Sequence, residues 1–162
     1  MPIFINRLGH SLVPCRAATL LGALIMIAIV SSCGRSEISL NRKIDTAFLM
    51  HNLSEIKGLV HDNPNLIYHR DETGETLLHL AASFSEADVA EFLLANKAEV
   101  NAKDNRFTTP LDGARNKDVA ELLLAKGADV NATSEGDMTP LDWALFNRNK
   151  EVAEFLREHG GK

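Results

Sequence analysis

The chain has 162 residues, 45% hydrophobic and 24% charged, a composition that excludes disordered and collagen-like chains and fits one folded domain. Its formal charge is −5, and residues 1–32 carry only Arg7 and Arg16 as charges, so the remainder holds 15 basic and 22 acidic side chains, a net −7. That balance argues against nucleic acid as a partner, because phosphates need clustered lysine and arginine. Two cysteines, Cys15 and Cys33, exclude a disulfide-stapled miniprotein.

Residues 17–30 are an uncharged run of fourteen, set between Arg16 and Ser31-Ser32-Cys33. As a helix this run spans about 21 Å at ~1.5 Å per residue, short of a ~30 Å hydrocarbon core. A basic start, a short apolar centre and small residues at its end read as an export signal over 1–32, not as a permanent membrane span. Val30-Ser31-Ser32-Cys33 resembles a bacterial lipobox, which implies lipidation of Cys33 as the new N-terminus and a lipid anchor in the membrane. The other reading is an ordinary secretory signal cut near Ser32 or Cys33. Residues 33–40 then form the lipidated cysteine and a polar tether, beginning Gly34-Arg35-Ser36-Glu37. The resemblance to lipoproteins implies a cell-envelope address, at the outer membrane or periplasmic face in a diderm bacterium; without lipidation the chain is secreted or periplasmic.

The rest of the chain repeats itself. Thr76-Leu77-Leu78-His79-Leu80-Ala81, Thr109-Pro110-Leu111-Asp112-Gly113-Ala114 and Thr139-Pro140-Leu141-Asp142-Trp143-Ala144 share one pattern. Each precedes a second shared block, in which Val89, Val119 and Val152 are equivalent. Glu99-Val100-Asn101-Ala102 and Gly127-Ala128-Asp129-Val130-Asn131-Ala132 close two of the units. Threonine followed by proline is an N-cap with proline at the first helical position, where the missing N–H costs nothing. Apolar residues at 89, 92 and 93 with charges at 88 and 91 predict a second helix with one buried stripe. One helix pair cannot bury its own apolar face, so stacking of units makes the core.

These blocks resemble the ankyrin repeat over residues 41–162. The resemblance implies an all-α solenoid of about four helix-pair units with short β-turn fingers, the units falling near 41–70, 71–103, 104–133 and 134–162. The first is degenerate, with Glu55-Ile56 placed 33 residues before Asp88-Val89. In the third, Thr109 to Val119 is 10 residues where Thr76 to Val89 and Thr139 to Val152 are 13, so the first helix or its connection is shortened around Arg115-Asn116-Lys117. Asp112 and Asp142 stand where the family has histidine, which puts the histidine's inter-unit hydrogen bonds in doubt there. Phe107 replaces the usual finger glycine. Gly113 aligns with Leu80 and Trp143, and a glycine inside a helix needs a reason; room for the indole of a largely buried Trp143 is the expectation.

No serine elbow, phosphate loop or helical zinc spacing occurs, and the carboxylates fall on exposed helix faces, so no catalytic residue, metal or cofactor is expected. The resemblance implies instead a non-catalytic protein-binding module with a protein partner and no small-molecule substrate. An immunity or inhibitor protein blocking an envelope toxin or enzyme, and a scaffold for an envelope stress-defence enzyme, are the alternatives. Carried over to this chain, the family's binding positions in the fingers and first helices are Glu72, Thr73, Glu75, Ser83, Phe84, Lys103, Asn105, Arg106, Arg115, Asn116, Thr133, Glu135, Met138, Phe146 and Asn147. Phe84, Met138 and Phe146 are the apolar anchors among them, each either a partner contact or a cover for a neighbouring unit.

Overall fold

The computed structural model describes residues 40–162, so the expected signal segment 1–32, Cys33 and the tether through residue 39 lie outside the described residues. Within them, helices come in antiparallel pairs. Residues 40–49 (α1) pair with Leu53–Asp62 (α2), followed by a 3-10 turn at Pro64–Tyr68. Leu77–Ser83 (α3) pairs with Ala87–Ala95 (α4), and Pro140–Phe146 (α6) with Lys150–Glu158 (α7). Lys117–Ala125 (α5) is the outer helix of the third unit, and its inner partner is reduced to a single turn at residues 110–113. No strand occurs among the described residues, and no helix there is long and apolar enough to cross a membrane.

The caps explain where helices start. At α6, Thr139 accepts from the Asp142 N–H while the Asp142 carboxylate accepts back from Thr139, with Pro140 at the first position. Three of the four outer helices begin at asparagines: Asn52, Asn116 and Asn149 accept from Glu55, Val119 and Val152 N–H, while α4 begins at Glu86 without a side-chain cap bond. Two of these caps also bind the preceding unit, since Asn116 Nδ2 donates to the Ser85 carbonyl and Asn149 Nδ2 to that of Arg115.

The outer helices stack in the order α2, α4, α5, α7 and bury the same slots each time. Ile56, Val89, Val119 and Val152 fill one slot; Val60, Leu93, Leu123 and Leu156 fill the next. Ala81, Ala114 and Ala144 are buried where inner segments meet, and unit one places Phe48 there, stacked on Phe84 at 5.7 Å. All these residues belong to one continuous core. No unit closes its own core, which is why the array is the folding unit.

Between units run backbone and amide links. Each finger is a tight turn closed by Asp71 N–H to Glu75 O, Asp104 N–H to Thr108 O, or Ser134 N–H to Met138 O, at 3.0 Å each. Neighbouring fingers join through Asn105 N–H to Thr73 O and Glu135 N–H to Arg106 O, both 2.9 Å. Behind them, Asn101 donates to Gly127 O and accepts from Asp129 N–H, and Asn131 repeats the clamp on Gly160 O and Lys162 N–H.

Two expectations need correction. The third unit loses more than a shortened helix: its inner segment keeps only i→i+3 bonds, Asp112 N–H to Thr109 O and Ala114 N–H to Leu111 O. With three residues missing there is also no left-handed corner before the outer helix, where the other units use His51, Ser85 and Arg148. Gly113, for its part, does not make room for Trp143. A Cβ there would meet Ser83 Oγ at 3.0 Å and Pro110 O at 3.5 Å, so the close neighbour is in the preceding unit. Trp143 is half-buried and donates from Nε1 to Ser134 Oγ at 2.9 Å, bracing α6 against its own finger.

Candidate functional site

The face framed by fingers and inner segments carries two open grooves, of about 380 and 400 Å³. The first runs between α1 and the first finger and includes Asp45, His69, Asp71, Glu72, Thr73 and Glu75. The second lies under the second finger and includes Ser83, Asp104, Arg106, Asp112, Arg115, Trp143 and Asn147. Thr73 and Glu75 line both, so the grooves are contiguous.

Local structure positions these groups. Asp71 Oδ1 accepts from Thr73 N–H and Oγ1 and from Glu75 N–H, and Asp104 Oδ1 accepts from Arg106 and Thr108 N–H, so both aspartates are spent in shaping fingers. Glu75 is left beside them without that duty. Burial, then the neighbouring charges of Asp71, Asp104 and Asp45, holds its carboxyl above the usual range.

Three residues share the slot after threonine and behave differently. His79, 4% exposed, accepts at Nδ1 from Thr76 N–H and Oγ1, which leaves the proton on Nε2 to donate to the Thr108 carbonyl of the next unit at 3.0 Å. Burial lowers its pKa, against the Thr108 bond. Asp112, 6% exposed, accepts at Oδ2 from Thr109 N–H and Oγ1, but its Oδ1 is buried without a partner. Burial pushes its carboxyl up to about 6 despite the two Thr109 bonds. Exposed Asp142 has the same threonine bonds, which hold its carboxyl below the ordinary value. An ionised carboxylate has no proton for a carbonyl, so the histidine's inter-unit bond is absent at both aspartates.

Of the sequence-proposed positions, the structure gathers Glu72, Thr73, Glu75, Ser83, Arg106, Arg115 and Asn147 along the two grooves. Phe84 instead covers unit one through Phe48. Asn105 is committed to the first finger through Thr73 O and Glu72 O, Lys103 donates to Thr133 O, and Asn116 is a helix cap. Glu135 pairs with Arg106 at 3.9 Å, Thr133 is exposed, and Met138 is half-buried in the third finger. Phe146 stands 71% exposed, edge-on to Trp143 at 6.0 Å. Arg106 lies 5.4 Å over the other part of that aromatic pair, the Trp143 ring. Sequence reasoning missed Trp143 and Asp112 as groove residues. The signal for Asp112 was its place in a buried histidine slot; for Trp143 none preceded the geometry.

Residues 59–114 and 113–157 each match a family profile described as ankyrin repeats (many copies). The chain is also 42% identical over 59 residues to Neurogenic locus notch homolog protein 1 of Danio rerio and 46% identical over 59 residues to Neurogenic locus notch homolog protein 2 of Homo sapiens. With Neurogenic locus notch homolog protein 1 of Xenopus laevis it shares 52% over 44 residues. These matches cover 36%, 36% and 27% of this chain and 2% of each relative, so the likeness concerns the repeats alone. Repeat blocks, stacked helix pairs, paired fingers and both profiles agree: the chain belongs to the ankyrin-repeat family, and its fold is a protein–protein interaction module.

Proposed function

We propose that the mature protein is a non-catalytic binding module, exported and held at the bacterial envelope through a lipid on Cys33, which grips a protein partner in the contiguous grooves. The observation that carries the binding reading is that seven of the fifteen positions singled out in the sequence line two joined, open grooves. Open grooves of this kind suit an extended or protruding segment of another protein better than an enclosed small substrate. For the anchor, support comes from the apolar run, Arg16 and Val30-Ser31-Ser32-Cys33, since stable attachment needs more than one acyl chain and a lipobox cysteine receives several.

Two measurements test the parts separately. Mass spectrometry of the membrane-extracted protein is expected to find an acylated N-terminal Cys33, with Cys33→Ala leaving the detergent phase or staying uncleaved. An unmodified Cys33, or an N-terminus beyond it, ends the anchor reading. For binding, Arg106→Ala and Phe146→Ala are expected to weaken partner capture by roughly 1–3 kcal/mol, while Glu91→Ala, on the outer face of α4, leaves it intact. Equal effects on both faces end the groove reading.

A further inference from the structure

Resting on the groove reading, we infer that the partner segment bound there is cationic, entering with lysine or arginine side chains that meet Glu75 where the grooves join and Asp112 on the floor of the second. Six carboxylates line the two grooves, at positions 45, 71, 72, 75, 104 and 112, against three arginines, at 42, 106 and 115. Four of the six carboxylates are recessed, Asp112 at 6% exposed and Glu75, Asp71 and Asp104 partly buried, while Asp45, Glu72 and all three arginines are exposed. Arg106 is moreover turned to Glu135 and the Trp143 ring. Carboxylates recessed in a concavity focus negative potential at its floor.

Asp112 adds an observation independent of charge count. Its Oδ1 is the buried side-chain polar atom left without a hydrogen bond among the described residues, in the slot where His79 is fully satisfied. An orphaned buried acceptor destabilises the fold unless something supplies a donor. Beside it, Gly113 lines the same groove, and a Cβ there would come within 3.0 Å of Ser83 Oγ, so the glycine leaves that gap unfilled. The donor that binds a carboxylate oxygen most strongly is a charged one, an ammonium or guanidinium N–H. A chain segment, unlike a small cation, reaches Glu75 and Asp112 together along joined grooves.

The test is fluorescence anisotropy on the full chain in detergent, with a labelled octapeptide alternating lysine and glycine and a matched glutamate–glycine peptide. The lysine peptide is expected to bind, with affinity falling as salt rises, and the glutamate peptide not to bind. Glu75→Gln and Asp112→Asn are each expected to weaken it at least fivefold, and Glu91→Gln less than twofold. Asp112→Asn also relieves the orphaned carboxylate, so its melting temperature should rise while its peptide affinity drops, a combination that misfolding does not produce. Equal binding of the two peptides, indifference to both groove substitutions, or displacement by an equal concentration of spermine overturns the inference. A photo-crosslinker placed at Asn147 separates this from the broader reading. Crosslinking to a native partner that Glu75→Gln leaves unchanged removes the cationic inference and keeps the groove; no crosslink from Asn147 removes both.

Discussion

His79 and Asp112 occupy one repeat slot and couple to pH with opposite signs. The Asp112 carboxyl, near 6 in the fold and about 3.8 when unperturbed, is raised, so its contribution is fully present below pH ~4 and is lost as pH rises through 6. His79 is depressed, so its contribution is present above its ordinary value of 6.5 and is lost as pH falls through its folded value. The two terms are separated by comparing wild type with Asp112→Asn in urea. At pH 4 the two should unfold alike, and by pH 7.5 the asparagine variant should be the more stable by on the order of 2–3 kcal/mol. A constant difference across that window would mean that Asp112 does not titrate in it. A second residue carries a simpler load. Phe107 holds the finger position that Gly74 fills in the preceding unit, at φ +61°, and its ring is 59% exposed. The left-handed region costs a residue with a side chain about 1–2 kcal/mol, and glycine's larger unfolded freedom offsets about 0.5–1 of that. Phe107→Gly is therefore expected to stabilise by ~0.5–1 kcal/mol in thermal melts, and a lowered melting temperature would show that the exposed ring makes up the difference.

Among elements, the third unit is where reading and structure part. The 10-residue spacing from Thr109 to Val119 revealed the deficit, but a spacing says how many residues are missing, not whether a shortened helix still nucleates. Helix formation fixes a costly first turn before any gain, so a segment cut to about one turn has only i→i+3 bonds to offer. Half of the capping box survived regardless, since the Asp112 carboxylate accepts from Thr109 N–H and Oγ1 as Asp142 does from Thr139, while the Asp112 N–H turns to the Thr109 carbonyl. Amide hydrogen exchange should register the difference: the N–H groups of residues 111–114 are expected to exchange faster than those of α3 and α6. Protection equal to α3 would indicate that stacking alone sets local stability. The same logic explains the grooves. Fingers and helix ends were legible from repeat register, so Thr73, Glu75, Ser83, Arg106 and Asn147 were found, while register could not say that Phe84 turns inward onto Phe48 or that Trp143 leans toward Ser134. Those depend on one unit's departures from its neighbours.

For the whole molecule, stability is shared along the stack. Leu123 is fully buried on α5, which packs between α4 and α7. Leu123→Ala is expected to cost ~2–5 kcal/mol in urea unfolding, with one transition seen by circular dichroism and by Trp143 fluorescence. Two separated transitions would mean that the units on either side of α5 melt independently. The core slots that make this sharing possible were readable from the valines and leucines alone; the links that set the spacing, from Asn116 and Asn149 caps and the Asn101 and Asn131 clamps, were not, because an asparagine in a loop has many uses. The clamps carry a further meaning. Each grips main-chain atoms, the Gly127 carbonyl and Asp129 N–H in one case and the Gly160 carbonyl and Lys162 N–H in the other, so it recognises a position in the period and ignores the side chains found there. A duplicated unit would be accepted by the same grip, and the grooved face would lengthen by one step with no change to the steps already present. The length of the array is thus set by counting, a ruler whose marks are asparagines.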